Sequence, residues 1–202
     1  MSAEDAGQNS DPARERIVEA FTERAGLLGP RSVVMAELAT ELGISTRTLY
    51  RHFRSKSDLM TEVITRFAED ATKKQESRFA RNLKPRERIL ETAYGWLDDR
   101  ARFSAVFWKE AHQQYPEAVA VWRATQRVLL ATARERVLLD LREDLPPDLA
   151  LSLLFAAIDH AADPRRCDRL GLSRQEAVTH AAEVWARGAL RRPVLRVVGE
   201  EG

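Results

Sequence analysis

Met35, Leu38, Ala39 and Leu42 recur at i, i+3, i+4 and i+7, and the next residue is Gly43. That spacing lines one face of a helix of just over two turns. Glycine is the residue that accepts the positive φ found at helix ends. Ile44 then plugs the corner, and Ser45 is a good N-cap for a second short helix from Thr46 to Phe53, whose inward residues are Leu49 and Phe53. Its other face carries Thr46, Arg47, Thr48, Tyr50, Arg51 and His52.

The rest of the chain repeats the helical period without its brevity. Asp11-Pro12 is a cap followed by proline at the first helical position, and Ile17, Ala20, Phe21, Ala25 and Leu28 fall on one stripe until Gly29-Pro30. Ser55 and Asp58 have capping-box spacing, opening a long helix through Leu59, Val63, Ile64, Phe67 and Ala71. Further helices are expected from Lys84-Pro85 to about Arg100, from Phe103 to Gln114, and from Tyr115-Pro116 to about Asp144. After Leu145-Pro146-Pro147 come Leu149 to Ala162, a polar loop from Asp163-Pro164 to Gly171, and a Ser173-capped helix ending near Leu190. No sustained period-2 alternation is present, so the class is all-α.

At 202 residues and 44% hydrophobic content the chain can bury a real core. Its longest apolar stretches fall far short of the roughly 20 residues a bilayer requires. Residues 1–10 are acidic and polar, so they read as a disordered leader and not as a secretion signal, and the expected location is the cytoplasm. Cys167 is the only cysteine, which excludes a disulfide framework and a multi-thiolate metal site within one chain.

The net charge of +1 gives no hint of a polyanionic partner, but its distribution does. Between Gly43 and Ser57 stand Arg47, Arg51, Arg54 and Lys56, together with His52 and no acid. Two short helices about a glycine turn are the geometry that presents a second helix to the major groove while the first braces it. Arg47, Thr48, Arg51 and His52 supply donors for phosphates and base edges, with Tyr50 and Lys56 on the flank as phosphate clamps. Taken alone, four basic residues in such a stretch equally describe a solvated helix face.

The run Met35-Ala36-Glu37-Leu38-Ala39, then Gly43-Ile44-Ser45-Thr46-Arg47-Thr48-Leu49-Tyr50-Arg51-His52-Phe53 and Ser55-Lys56-Ser57-Asp58-Leu59, resembles the DNA-binding signature of the tetracycline-repressor (TetR) family over roughly residues 12–65. Two positions depart. Arg47 stands where a small residue is common, and Val33-Val34 replace the usual Ser or Thr cap, a helix start weaker by roughly 1 kcal/mol.

The resemblance implies an N-terminal three-helix helix-turn-helix domain followed by a larger helical ligand-binding and dimerisation domain. On this sequence that places a DNA-binding domain at residues 11–60, a linking helix at 61–79 and an effector-binding and dimerisation domain at 80–192, with 1–10 and 193–202 disordered. The DNA-contacting set is Ser45, Thr46, Arg47, Thr48, Tyr50, Arg51, His52 and Lys56. It further implies a homodimer joined by its last two long helices, where Leu153, Ala157, His160, Ala181, Val184, Trp185 and Gly188 offer small and apolar contacts. Such a dimer would set two recognition helices about 35 Å apart on a palindromic operator.

An aromatic concentration in the central helices suggests a pocket for a small apolar or aromatic effector. Trp96, Phe103, Phe107, Trp108, Trp122 and Phe155 supply walls, and His112 and Gln126 supply polar anchors; ordinary core is the plainer reading of each. No catalytic constellation, cofactor motif or metal spacing is recognisable, Asp159-His160-Asp163 being the nearest approach. The expected function is a sequence-specific, non-enzymatic DNA-binding regulator, most simply a repressor. The alternative is a helical adaptor or membrane-surface protein meeting acidic lipid or a protein through residues 43–57.

Overall fold

The computed structural model describes residues 11–191; the expectations for residues 1–10 and 193–202 lie outside them. The described chain is helical throughout: α1 (Pro12–Leu28), a one-turn 3-10 segment (Pro30–Ser32), α2 (Met35–Glu41), α3 (Thr46–His52), α4 (Lys56–Phe79), α5 (Pro85–Ala101), α6 (Ala105–Gln114), α7 (Pro116–Leu138), α8 (Pro147–Ala161), α9 (Pro164–Leu170) and α10 (Arg174–Ala189). No strand occurs among the described residues, and one isolated antiparallel bridge joins Leu141 to Leu190.

Two compact units emerge. The first holds α1 to α3 and α4 as far as Lys73, together with residues 100–127; the second holds residues 74–99 and 128 onward. Packing therefore groups α6 and the first half of α7 with the helix-turn-helix segment, a partition unlike the sequential division at residue 60 or 79.

In the first unit the local chemistry explains each helix end. Asp11 Oδ1 accepts from Ala13 N–H at 3.0 Å with Pro12 at the first helical position. α2 begins at Val34 with no side-chain cap, as the departure from the family pattern predicts, and Leu38 and Ala39 hold it by burial. It ends with Gly43 at φ +67, where Gly43 N–H donates to Thr40 O (3.1 Å) and Ile44 N–H to Ala39 O (3.0 Å). This crossed pair satisfies the last carbonyls and turns the chain into α3. Asp58 N–H donates to Ser55 Oγ at 3.0 Å, while the Asp58 carboxylate reaches back one residue further than a capping box requires, to Arg54 N–H at 3.0 Å.

α6 meets α1 at Gly26. Ser104 N–H donates to Gly26 O at 2.8 Å, and a Cβ on Gly26 would lie 3.1 Å from the Phe103 ring, so α1 needs a residue this small at the crossing. Phe103 stacks on Phe107 (centroids 4.1 Å), and Phe67 of α4 meets Phe103 at 5.1 Å and Trp122 at 4.5 Å.

In the second unit α8 and α10 pack on each other, burying Leu154, Ile158, Val178 and Ala182. Two expectations are corrected here. The segment from Asp163 to Gly171 is not a loop: Asp163 caps α9 by accepting from Arg166 N–H (3.0 Å), Pro164 starts the helix, Cys167 is buried, and Gly171 at φ +66 ends it. And α7 stops at Leu138 rather than near Asp144, because the backbone beyond it is taken by a distant segment: Arg142 N–H donates to Ala189 O (3.0 Å) and Arg191 N–H to Asp140 O (2.9 Å).

Candidate nucleic-acid interface

α3 is held by its inner edge and its two ends. Leu49 is fully buried and Phe53, the residue after the helix, is 1% exposed. At the start, Ser45 Oγ accepts from Thr48 N–H at 3.0 Å and lies 2.9 Å from Thr48 Oγ1, so both hydroxyls are engaged in the cap. Thr46, Arg47, Tyr50 and Arg51 remain exposed on the outer side, with Arg54 beyond the helix end. That surface offers two guanidiniums, a phenol and a hydroxyl on a rigid two-turn rod, the complement needed for phosphate oxygens and base edges.

Two members of the predicted DNA-contacting set lie elsewhere than on this face. The His52 ring is only 10% exposed, and its Nδ1 lies 3.2 Å from Asp11 Oδ2. The ring's other nitrogen, Nε2, is buried with no hydrogen-bond partner among the described residues. Lys56 turns its ammonium inward: Nζ donates to Val33 O at 2.6 Å and reaches Arg31 O at 3.5 Å. Burial pushes its pKa below the usual lysine range, with the Glu110 carboxylate opposing that shift. Both groups brace the ends of the helix-turn-helix.

The Asp11 side chain thus serves two helices, capping α1 with one oxygen and holding His52 with the other. Asp11→Ala is expected to lower the stability of the head formed by α1, α2 and α3 by about 1–2 kcal/mol, read as a shift in urea midpoint, with the salt dependence of any DNA binding unchanged. The Asp–Pro cap signal marked Asp11 in sequence; its second role needed the tertiary fold.

The residues anticipated for an effector fall in both units. Phe103, Phe107 and Trp122 are buried in the first, Trp108 and Gln126 are half-buried there, and His112 is exposed with Nδ1 2.7 Å from Trp108 O. Trp96 and Phe155 belong to the second unit, with ring centroids 4.3 Å apart and the Trp96 indole N–H donating to Asp159 at 2.8 Å. Of the residues anticipated for dimerisation, Leu153, His160, Val184 and Gly188 are exposed on α8 and α10, Ala157 and Ala181 are half-buried, and Trp185 is tied down by its indole N–H to Ala150 O at 2.9 Å. Among the described residues no group of three His, Cys, Asp or Glu could hold a metal ion, and no helix is long and apolar enough to cross a membrane.

Residues 17–63 match the family described as bacterial regulatory proteins, tetR family. The HTH-type transcriptional regulator BetI of Agrobacterium fabrum is 26% identical over 157 residues, 71% of this chain and 70% of that protein. An HTH-type transcriptional regulator of Staphylococcus aureus (strain USA300) is 42% identical over 62 residues, a match confined to 31% of each chain. Among solved structures, a transcriptional regulator from Saccharomonospora viridis in complex with choline shares the fold with a TM-score of 0.71 at 21% identity, over 89% of this chain and 98% of that one. Reduced Escherichia coli NemR does so with a TM-score of 0.67 at 17% identity, over 90% and 100%. Where the sequence match is strongest is also where the glycine turn, the capped α3 and its exposed cationic face lie, and residues 17–63 carry the domain described as that of the tetR family of bacterial regulatory proteins.

Proposed function

We propose that the chain is a cytoplasmic, homodimeric repressor that occludes a palindromic operator and answers to a small effector. The observation that carries the DNA side is the outer face of α3: Arg47, Tyr50 and Arg51 exposed together, with no acid between Gly43 and Ser57. Ser45, Thr48, His52 and Lys56 act in this reading by holding the rod rather than by touching bases. The dimer side rests on α8 and α10, where Leu153 (50% exposed) and Val184 (73% exposed) present apolar surface beside the exposed Gly188.

For the effector, the clustered rings of Phe103, Phe107, Trp108 and Trp122 favour an apolar or aromatic molecule. The same rings favour a second class, an organic cation, because indole and phenyl faces attract positive charge. The Saccharomonospora viridis regulator of like fold holds such a cation, choline.

Selection of duplexes from a random pool by the purified protein tests the DNA reading. An enriched palindrome supports a dimeric sequence-specific regulator; binding to anionic vesicles without duplex binding would instead support a membrane-surface protein. On the enriched duplex, Arg47→Ala is expected to weaken binding about tenfold while leaving random duplex unaffected, since the first turn of a recognition helix meets base edges. Arg51→Ala should weaken both and reduce the salt slope by about one. Equal effects of the two variants on both duplexes would overturn that division of labour.

A further inference from the structure

α1 ends at Gly29, whose φ of +90 suits glycine, and the space a side chain would fill there is occupied. A Cβ on Gly29 would lie 2.6 Å from Glu110 Oε2 and 2.8 Å from Val106 Cγ1, both on α6. The same Glu110 oxygen accepts from Arg31 N–H at 2.8 Å, inside the 3-10 segment Pro30–Ser32. From the other side, the carbonyls of Val33 and Arg31 are gripped by Lys56 Nζ at 2.6 and 3.5 Å. Lys56 is the first residue of α4, separated from α3 only by Phe53, Arg54 and Ser55. The backbone of residues 31–33 is therefore held by an anion on α6 and by a cation at the α3–α4 junction.

Neither hydrogen bond is needed to close the helix-turn-helix itself, since α3 is capped by Ser45 and the turn by Gly43. What the two bonds add is a link from α6 to the end of the recognition helix. Bonds from a carboxylate to an N–H and from an ammonium to a carbonyl are short and directional, and they weaken steeply with displacement.

We infer that Glu110 is a positioning residue for DNA binding: through the Arg31 backbone and Lys56 it fixes where α3 ends and α4 begins. The inference rests on the DNA-binding reading above. It assigns Glu110 no contact with DNA.

The test compares wild type, Glu110→Ala and Glu110→Gln on the pool-selected duplex over a range of salt, with urea unfolding and amide hydrogen exchange of each protein. Glu110→Ala is expected to bind about tenfold more weakly, the size of one charge-assisted hydrogen bond, with the salt slope unchanged. Glu110→Gln, whose amide oxygen still accepts from Arg31 N–H, is expected to recover most of the loss. A mere charge effect has the opposite sign, because removing an acid near the DNA face should tighten binding in both variants. In the free protein, Glu110→Ala should exchange faster at Arg31 and at residues 54–57. Tighter binding, an alanine variant that binds like wild type, a glutamine variant as weak as alanine, or a binding loss matched by global unfolding would each overturn the inference. Unchanged exchange at Arg31 would do so even if wild type binds no duplex, a result that by itself would count against the DNA reading.

Discussion

Phe53→Ala is expected to cost about 3–5 kcal/mol and to abolish DNA binding by unfolding the head. The ring is 1% exposed, and the residue is where α3 gives way to extended chain, φ −135, while its N–H still closes the helix on Leu49 O at 3.0 Å. Arg14 of α1 lies with its guanidinium carbon 4.8 Å from the ring centroid, so one face of the ring meets a cation as well as apolar core. Truncation to a methyl group removes the transfer energy of the ring and leaves a cavity that a small three-helix head has few ways to collapse. Since a domain of this size is stable by only about 5–15 kcal/mol, the loss is a large share of the total. Urea unfolding followed by helical circular dichroism would read it as a lower midpoint. Phe53→Leu, closer in volume, should lose much less and keep DNA binding. An alanine variant within about 1 kcal/mol of wild type would mean that the ring is not central to the head.

The helix-turn-helix was legible because three independent signals agree there: the apolar period of Met35 to Leu42, glycine at the turn position whose φ is positive, and a serine where α3 needs a cap. α9 was missed although its punctuation was equally plain, Asp163-Pro164 before it and Gly171 after, because within PRRCDRL only Cys167 is a buried apolar residue and periodicity had nothing to count. The end of α7 was beyond sequence reasoning for a different cause: residues 140–142 bond to residues 189–191, and no local pattern announces a partner so distant. The same holds for His52 and Lys56. Helical angle assigns a side chain to a face, but whether that face meets solvent or Asp11, Val33 and Arg31 is settled by tertiary packing. Aromatic spacing likewise could not reveal that Trp96 and Phe155 pack together in one unit and Phe103, Phe107, Trp108 and Trp122 in the other.

The head should also lose stability in acid, and Glu62 should carry much of that loss. Its carboxylate accepts from both terminal nitrogens of Arg14, each at 2.7 Å, and from Arg66 Nε at 2.6 Å; Arg66 in turn pairs with Glu15 of α1. The hydrogen bond from Arg14 holds the Glu62 carboxyl well below its ordinary value of 4.5, at about 2, with burial opposing the shift and Arg66 adding to it. Glu15 is lowered in the same direction by Arg66. Because the folded form gives up its proton more readily than the unfolded chain, the contribution is fully present above pH 4.5 and is lost as the pH falls through about 2. The side chains of Arg14, Glu62 and Arg66 retain 36%, 22% and 31% of their exposure, so solvent screening trims the effect to about 2 kcal/mol. Glu62→Gln should cost a similar amount at pH 7, because two guanidiniums that repel each other then lose the anion between them. It should also flatten the fall in stability between pH 4.5 and 3. Urea unfolding of both proteins at pH 7 and pH 3 measures the two effects together, and a glutamine variant as acid-labile as wild type would place the titrating group elsewhere than at Glu62.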